Sequence, residues 1–196
     1  MWDAQTGQER FSFAEYLDST DSWAFSPDGR HIIFISKSKT LKMWDAETGD
    51  ELLTFKENRL ADSEPKLSGI QYGRFRAITS CAYSPDGKNI VSVLRDKILK
   101  VWDAQTGQLR ITLTGHSDWV TGYAFSPDGQ LIASVSADQT LKVWDISPPD
   151  NGSRPDRRCL ATFPVERALN ACAWSPDGRY IVAVGDSGIY ILQFIR

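Results

Sequence analysis

The chain has 196 residues, 41% of them hydrophobic, with a formal net charge of −3. That length and apolar content allow one continuous core, and the mild acidity speaks against the basic, patchy footprint of a nucleic-acid binder. No apolar run approaches the ~18 residues of a membrane span, and no secretory leader opens the chain.

Three cysteines, without a C-x-x-C pair, match neither a disulfide framework nor a metal site, and they fit a reducing, cytoplasmic setting. Asn151-Gly152-Ser153 has the form of a glycosylation acceptor, which has no meaning without a secretory route.

Residues 1–18 open in mid-pattern. Met1-Trp2-Asp3-Ala4-Gln5-Thr6-Gly7 repeats Val101-Trp102-Asp103-Ala104-Gln105-Thr106-Gly107, and Gln8 to Phe13 read as the strand that follows. The strands that should precede are missing, so the segment reads as the cut edge of a longer array. An alternative reading is a truncated product with no independent function.

Residues 19–55 form the first whole unit. A short apolar run, Trp23-Ala24-Phe25, meets Ser26-Pro27-Asp28-Gly29. Pro presets φ for a type I turn, Asp caps its own turn and Gly tolerates positive φ, so this tetrapeptide closes a hairpin. A β-branched run, Ile32 to Ile35, follows, then a polar turn and a third strand ending at Trp44-Asp45. The turn Ala46-Glu47-Thr48-Gly49 leads to a fourth strand, Glu51 to Phe55. Four short strands between turn signals predict an antiparallel meander.

Residues 56–75 are polar and mixed in charge, and read as an insertion loop with a short helix around Asn58 to Ala61. Residues 76–114 repeat the unit with Cys81-Ala82-Tyr83, Ser84-Pro85-Asp86-Gly87, Asp96 and Trp102-Asp103. Residues 115–163 hold the complete copy, from Gly115-His116 through Ser126-Pro127-Asp128-Gly129 and Asp138 to Trp144-Asp145. A Pro- and Gly-rich loop over 146–158 precedes its outer strand, Cys159 to Phe163. Residues 164–196 keep Ser175-Pro176-Asp177-Gly178 and, one position early, Asp186, but carry Leu192-Gln193 where the others have Trp-Asp.

The tetrapeptide anchors are 58, 42 and 49 residues apart, and in the first three copies Trp-Asp begins eighteen residues after the serine. Gly115-His116, Asp138 and Trp144-Asp145 resemble the WD-repeat β-propeller family, whose ~40–45-residue repeat makes one four-stranded blade. The last unit is similar to the terminal repeats attached to bacterial and apoptosome-like signalling ATPases. The resemblance implies an all-β fold of four four-stranded antiparallel blades. Four is fewer than this family usually uses to close, so the blades are expected as an open arc or as half of an eight-bladed homodimer. Gln8 to Phe13 would serve as the outer strand of unit four if the ring closed.

The resemblance also implies a buried hydrogen-bonded tetrad: His116, Ser134 or Ser136, Asp138 and Trp144. The two serines share one strand face, and sequence does not choose between them. A His–Asp pair also suits acid–base catalysis, but a buried aspartate needs such a partner for structural reasons alone. Tyr16 and Ser38 stand at the histidine and aspartate positions of unit one, and Arg74 at the histidine position of unit two. Unit three is therefore expected to be the firmest and unit one the loosest.

For partner binding, the family resemblance points to one rim of the propeller. The matching positions are Trp119, Thr121 and Ala137 in unit three, Ala77, Thr79 and Arg95 in unit two, Ala168, Asn170 and Gly185 in unit four, and Ser19, Asp21 and Lys37 in unit one. Trp119, in a polar stretch, either packs on a neighbouring blade or anchors a partner. Gly185-Asp186-Ser187-Gly188 resembles the nucleophile tetrapeptide of trypsin-like proteases, but repeat register already explains Asp186 as a turn residue. Arg154, Arg157 and Arg158 read as a solvated loop. There is no phosphate-binding loop and no metal-ligand spacing, so no cofactor or metal is expected.

The expected function is a non-catalytic protein–protein interaction scaffold, the sensor end of a larger signalling protein in its sharpest form, with other proteins as partners and no nucleic acid or membrane. The alternative is a propeller-pocket enzyme of hydrolase or lactonase type, which would aim ionisable groups at a central channel.

Overall fold

The computed structural model describes residues 2, 4–12, 22–36, 40–56, 78–94, 97–148 and 159–195. Among them every element is a strand, and the strands form four antiparallel sheets. Blade 1 contains β1 (Trp23–Phe25), β2 (His31–Ile35), β3 (Leu41–Asp45) and β4 (Glu51–Thr54). Blade 2 contains β5 (Ile78–Tyr83), β6 (Asn89–Leu94), β7 (Ile98–Asp103) and β8 (Leu109–Leu113). Blade 3 contains β9 (Val120–Phe125), β10 (Leu131–Ser136), β11 (Thr140–Asp145) and β12 (Cys159–Pro164). Blade 4 contains β13 (Leu169–Trp174), β14 (Tyr180–Gly185) and β15 (Gly188–Gln193). Strands within each sheet lie in chain order, so tight turns suffice to connect them.

The inner hairpin of every blade turns on the same network. Ser26 Oγ donates to Asp28 Oδ1 and accepts from the His31 amide at 2.9 Å, while Asp28 Oδ1 also accepts from the Arg30 amide at 3.0 Å. Ser84/Asp86, Ser126/Asp128 and Ser175/Asp177 repeat it. The glycine that follows has φ between 68° and 72° in all four copies, a left-handed value that side chains with a Cβ resist. At the outer turn, Asp45 Oδ1 accepts from the Glu47 and Thr48 amides and Asp103 Oδ1 from those of Gln105 and Thr106. That is why Asp follows Trp in the repeat. A bulge recurs where third and fourth strands meet, at Met43/Trp44, Val101/Trp102 and Val143/Trp144.

Each blade packs its forward face on the backward face of the next. Ile33, Leu41 and Met43 of blade 1 meet Cys81, Ile90 and Trp102 of blade 2. Val91, Val93, Leu99 and Val101 meet Ile132 and Trp144 of blade 3. Ala133, Val135, Leu141 and Val143 meet Leu169, Ile181 and Ala183 of blade 4. Burying a single Leu, Ile or Val side chain contributes ~1.5–3 kcal/mol, so these seams hold the stack together. The forward face of blade 4 has no such neighbour among the described residues: Ile189 is 71% exposed and Ile191 70%. The four blades form an open arc.

One feature differs from expectation. Blade 4 has three strands rather than four among the described residues. The segment that would complete it in a closed ring lies elsewhere, as the open arc requires: Glu9 pairs with Trp2, and the Phe11 ring stands 2.9 Å from where a Cβ on Gly49 would sit. A hairpin seven positions long closes at far lower entropic cost than a link to β15 across the whole chain. The helix expected near Asn58 and the residues Tyr16, Ser19, Asp21, Lys37, Ser38, Arg74, Ala77, Arg95, Asp96, Arg154, Arg157 and Arg158 lie outside the described residues.

Candidate functional site

Blade 3 carries a continuous polar relay from its third strand to its top loop. Trp144, on β11, donates its indole N–H to Ser134 Oγ on β10 at 2.7 Å. Ser134 Oγ lies 2.7 Å from His116 Nε2, and His116 Nδ1 lies 2.9 Å from Asp138 Oδ2. The carboxylate needs a proton on Nδ1, so in the neutral ring Nε2 is the acceptor and the Ser134 hydroxyl donates to it. The chain of donors runs Trp144 to Ser134 to His116 to Asp138. The geometry chooses Ser134 over Ser136, whose hydroxyl donates to the Asp118 carbonyl at 3.0 Å and accepts from the Asp138 amide at 3.0 Å.

Asp138 collects further donors that sequence reading did not name. The Ser117 amide reaches Oδ2 at 2.8 Å, and the Thr140 amide and hydroxyl reach Oδ1 at 3.0 and 2.6 Å. Burial opposes charge on this carboxyl, but the Thr140 hydroxyl, the Ser117 amide and the His116 ring outweigh it and hold its pKa at about 2. Burial pushes the His116 pKa below its ordinary value, against the pull of Asp138. The ring is therefore neutral at pH 7. The only sequence signal for Thr140 is a threonine two positions after the aspartate.

Catalysis needs a histidine that a substrate can reach. The His116 side chain is 0% exposed and Ser134 is 0% exposed, so this cluster braces the blade. Blade 2 keeps half of the relay, with Trp102 Nε1 donating to Ser92 Oγ at 2.8 Å. Blade 1 places Phe34 where the serine would be, stacked on Trp44 with ring centroids 5.4 Å apart. Blade 4 substitutes Ala183 and Leu192, both packed in the apolar seam with blade 3.

The rim positions divide into two kinds. Trp119 is 63% exposed, while its amide bonds to Asp118 Oδ1 at 2.8 Å and its carbonyl accepts from the Ala137 amide at 2.9 Å. Its backbone is pinned and most of its surface stands in solvent. Thr121 instead ties blades together, donating to the Leu169 carbonyl. Ala137 and Ala168 are half-buried, and Asn170 is exposed, donating to Asp186 Oδ1 at 3.3 Å. Gly185 is structural: a Cβ there would lie 2.2 Å from the Ala168 carbonyl oxygen. Gly185 pairs with Gly188 across the turn that joins β14 to β15, so the protease-like tetrapeptide is a hairpin. Thr79 lies on β5.

A cavity of about 310 Å³ lies between the Ser126-Pro127-Asp128 and Asp177-Gly178-Arg179 turns, walled by Trp174 and Phe194. Trp174 Nε1 is buried without a hydrogen-bond partner among the described residues.

Radially stacked antiparallel sheets with a buried Trp–Ser–His–Asp relay define a propeller-type repeat protein. The chain belongs to the WD domain, G-beta repeat family, whose profile matches residues 17–45, 67–103, 107–145 and 157–191. Among solved structures it is similar to one described as the structure of U3-55K, with 25% identity and a TM-score of 0.67 over 90% of this chain. The match covers 49% of that chain, so this arc spans about half its length.

Proposed function

We propose that the chain is a non-catalytic protein-interaction scaffold that engages partner proteins through the rim around Trp119. One observation carries this reading. A large aromatic residue is held mostly in water on a backbone fixed by two hydrogen bonds. Tryptophan presented in this way loses little conformational freedom on binding, and it is the residue type most enriched among energetic anchors of interfaces. Lys97, whose ammonium group donates to the Ser117 carbonyl, and Asp118 flank it and supply a polar border. Membership of a WD-repeat family agrees with an interaction role in general terms. The sharper reading, the sensor part of a larger cytoplasmic signalling protein, rests on the resemblance of residues 164–196 to terminal repeats of signalling ATPases.

The test is quantitative affinity capture from a cytoplasmic extract with the wild-type chain and with Trp119→Ala. Proteins retained by the first and lost by the second, at unchanged melting temperature, support the rim. A lowered melting temperature with retention intact would assign Trp119 to stability and remove the rim from the interface.

A further inference from the structure

The loop that carries Trp119 is fixed more completely than its exposure requires. Ser117 gives its amide to Asp138 Oδ2 at 2.8 Å, and its carbonyl accepts from the Lys97 ammonium group. The Asp118 carbonyl accepts from the Ser136 hydroxyl at 3.0 Å. Trp119 gives its amide to Asp118 Oδ1 at 2.8 Å, and its carbonyl accepts from the Ala137 amide at 2.9 Å. Backbone groups on an exposed loop find partners in water, so satisfaction alone does not call for these bonds. What they add is one fixed posture for a residue that is 63% exposed. The corresponding loop of blade 4, between β12 and β13, is tied by the Val165 amide to the Gln139 carbonyl at 2.9 Å and by the Ala168 carbonyl to the Asp186 amide at 3.3 Å. It exposes Glu166 and Arg167 rather than an aromatic residue.

Lys97 stands apart from the rest of this clasp. Ser136, Ala137 and Asp138 belong to blade 3, whereas Lys97 directly precedes β7 and reaches over from blade 2. Its backbone is held at φ 73°, in the left-handed region that residues with a Cβ resist. The turn between β14 and β15 meets a similar demand with a glycine, Gly188 at φ 121°. Gln139 takes the equivalent place in blade 3 at φ 66°, and there a backbone carbonyl does the tying. At Lys97 it is the side chain, a flexible stem that carries a charged donor to the next blade. Local strain that persists in this way gathers at functional sites.

We infer that Lys97 is a positioning residue for partner binding: from blade 2 it holds the Ser117–Trp119 loop of blade 3 in the posture a partner recognises. The inference rests on the scaffold reading above, and it adds that the interface depends on two blades. A loop ordered in advance gives up less freedom on binding, so freeing it weakens affinity without removing a contact to the partner. A contact on the surface moves overall stability little, which separates a positioning role from a bracing one.

The test uses the whole 196-residue chain and the proteins that wild type retains from extract and Trp119→Ala loses. Lys97→Gly removes the ammonium group and relieves the left-handed backbone, so it should melt at or above the wild-type temperature. It should nonetheless retain those proteins ~5-fold or more weakly. By NMR relaxation, the order parameters of Ser117 and Trp119 should fall from about 0.85 to below about 0.6. Lys97→Met keeps the stem and the backbone conformation and should show the same loosening, which excludes the flexibility of glycine as its cause. Lys97→Arg keeps a donor and should hold both order and retention near wild type. A Lys97→Gly chain that melts lower or fails to fold makes Lys97 a brace of the blades and overturns the inference. So does a Lys97→Met chain with wild-type loop order or full retention while Trp119→Ala still loses the partners, and the scaffold reading then stands without it. If Trp119→Ala loses nothing, the rim itself falls and this inference with it.

Discussion

The Trp144 indole and the Ser134 hydroxyl, ten positions apart in sequence, meet at 2.7 Å inside blade 3. Ser134 also serves His116 Nε2 at 2.7 Å, whereas the Ser92 hydroxyl in blade 2 meets Trp102 alone among the described residues. Ser134→Ala leaves two buried groups without a partner and should cost ~2–3 kcal/mol, against ~1–2 kcal/mol for Ser92→Ala. Urea unfolding followed by tryptophan fluorescence measures both. Equal losses would mean that the His116 contact contributes nothing.

The same relay predicts how stability depends on pH. Unfolded, His116 takes up a proton near the ordinary value of 6.5; folded, burial delays this to lower pH. Between the two the unfolded chain holds more protons, so stability falls as pH drops below 6.5. Asp138 adds a second limb, because its carboxyl is protonated at 3.8 when unfolded and at about 2 when folded. That limb is shared with Asp28, Asp86, Asp103 and Asp177, whose pKa values are also lowered. His116→Gln should lower the melting temperature at pH 7 and flatten its fall between pH 6.5 and 4.5. A melting curve series as steep as wild type in that window would place the acid sensitivity elsewhere.

The cysteines should be chemically quiet. Burial pushes the Cys81 thiol up to about 11, partly offset by Ser22, and the Cys172 thiol up to about 12. At pH 8 their thiolate fractions are then roughly one in a thousand and one in ten thousand, and only the thiolate reacts. Iodoacetamide followed by peptide mass spectrometry should leave both unmodified in the folded chain and modify both in urea. Labelling of Cys172 in the folded state at the rate of a free thiol would show that its surroundings open.

Much of this architecture is legible in the residues. Ser-Pro-Asp-Gly marks each inner hairpin because Ser and Asp satisfy the turn amides and Gly takes its positive φ. Trp102 and Trp144 announce the third strand and its buried indole. What was not legible is long-range. Ser134 and Ser136 lie on the same strand face, and only the position of His116 decides between them. The seat of Phe11 on Gly49 depends on the placement of a whole neighbouring blade, which local propensity does not encode. The donors that lower Asp138 come partly from a backbone amide, at Ser117, which carries no sequence signal.

Close approach of blades 3 and 4 makes Gly122 intolerant of a side chain. A Cβ there would stand 2.9 Å from Ala171 Cα, 3.1 Å from Val135 Cγ2 and 3.2 Å from the Asn170 carbonyl oxygen. Two of those three atoms are backbone, so neither can swing aside. Gly122→Ala should cost ~1–3 kcal/mol through overpacking. Gly29 offers the control, since a Cβ there meets nothing within 4 Å and only its φ of 72° resists substitution. Gly29→Ala should cost ~1 kcal/mol. Chemical denaturation that ranked Gly29→Ala as the more damaging change would contradict the seam geometry.

Hydrogen exchange ought to be slowest in blade 3 and fastest at the free edge of blade 4. β10 is buried at all six residues and is braced by the relay through Ser134. β15 is bonded on one side only among the described residues, with Ile189 and Ile191 largely in water. Sequence alone pointed to unit one as the loosest, because its tetrad positions hold Tyr16 and Ser38. The structure gives blade 1 another device, the stack of Phe34 on Trp44, and a backward face only 2–8% exposed. Local opening costs least where few apolar contacts and few ladder bonds must break, and that describes β15. The measurement is amide exchange resolved to single strands. The outward amides of β15 should exchange first. Blade 1 exchanging before β15 would restore the order expected from its missing tetrad.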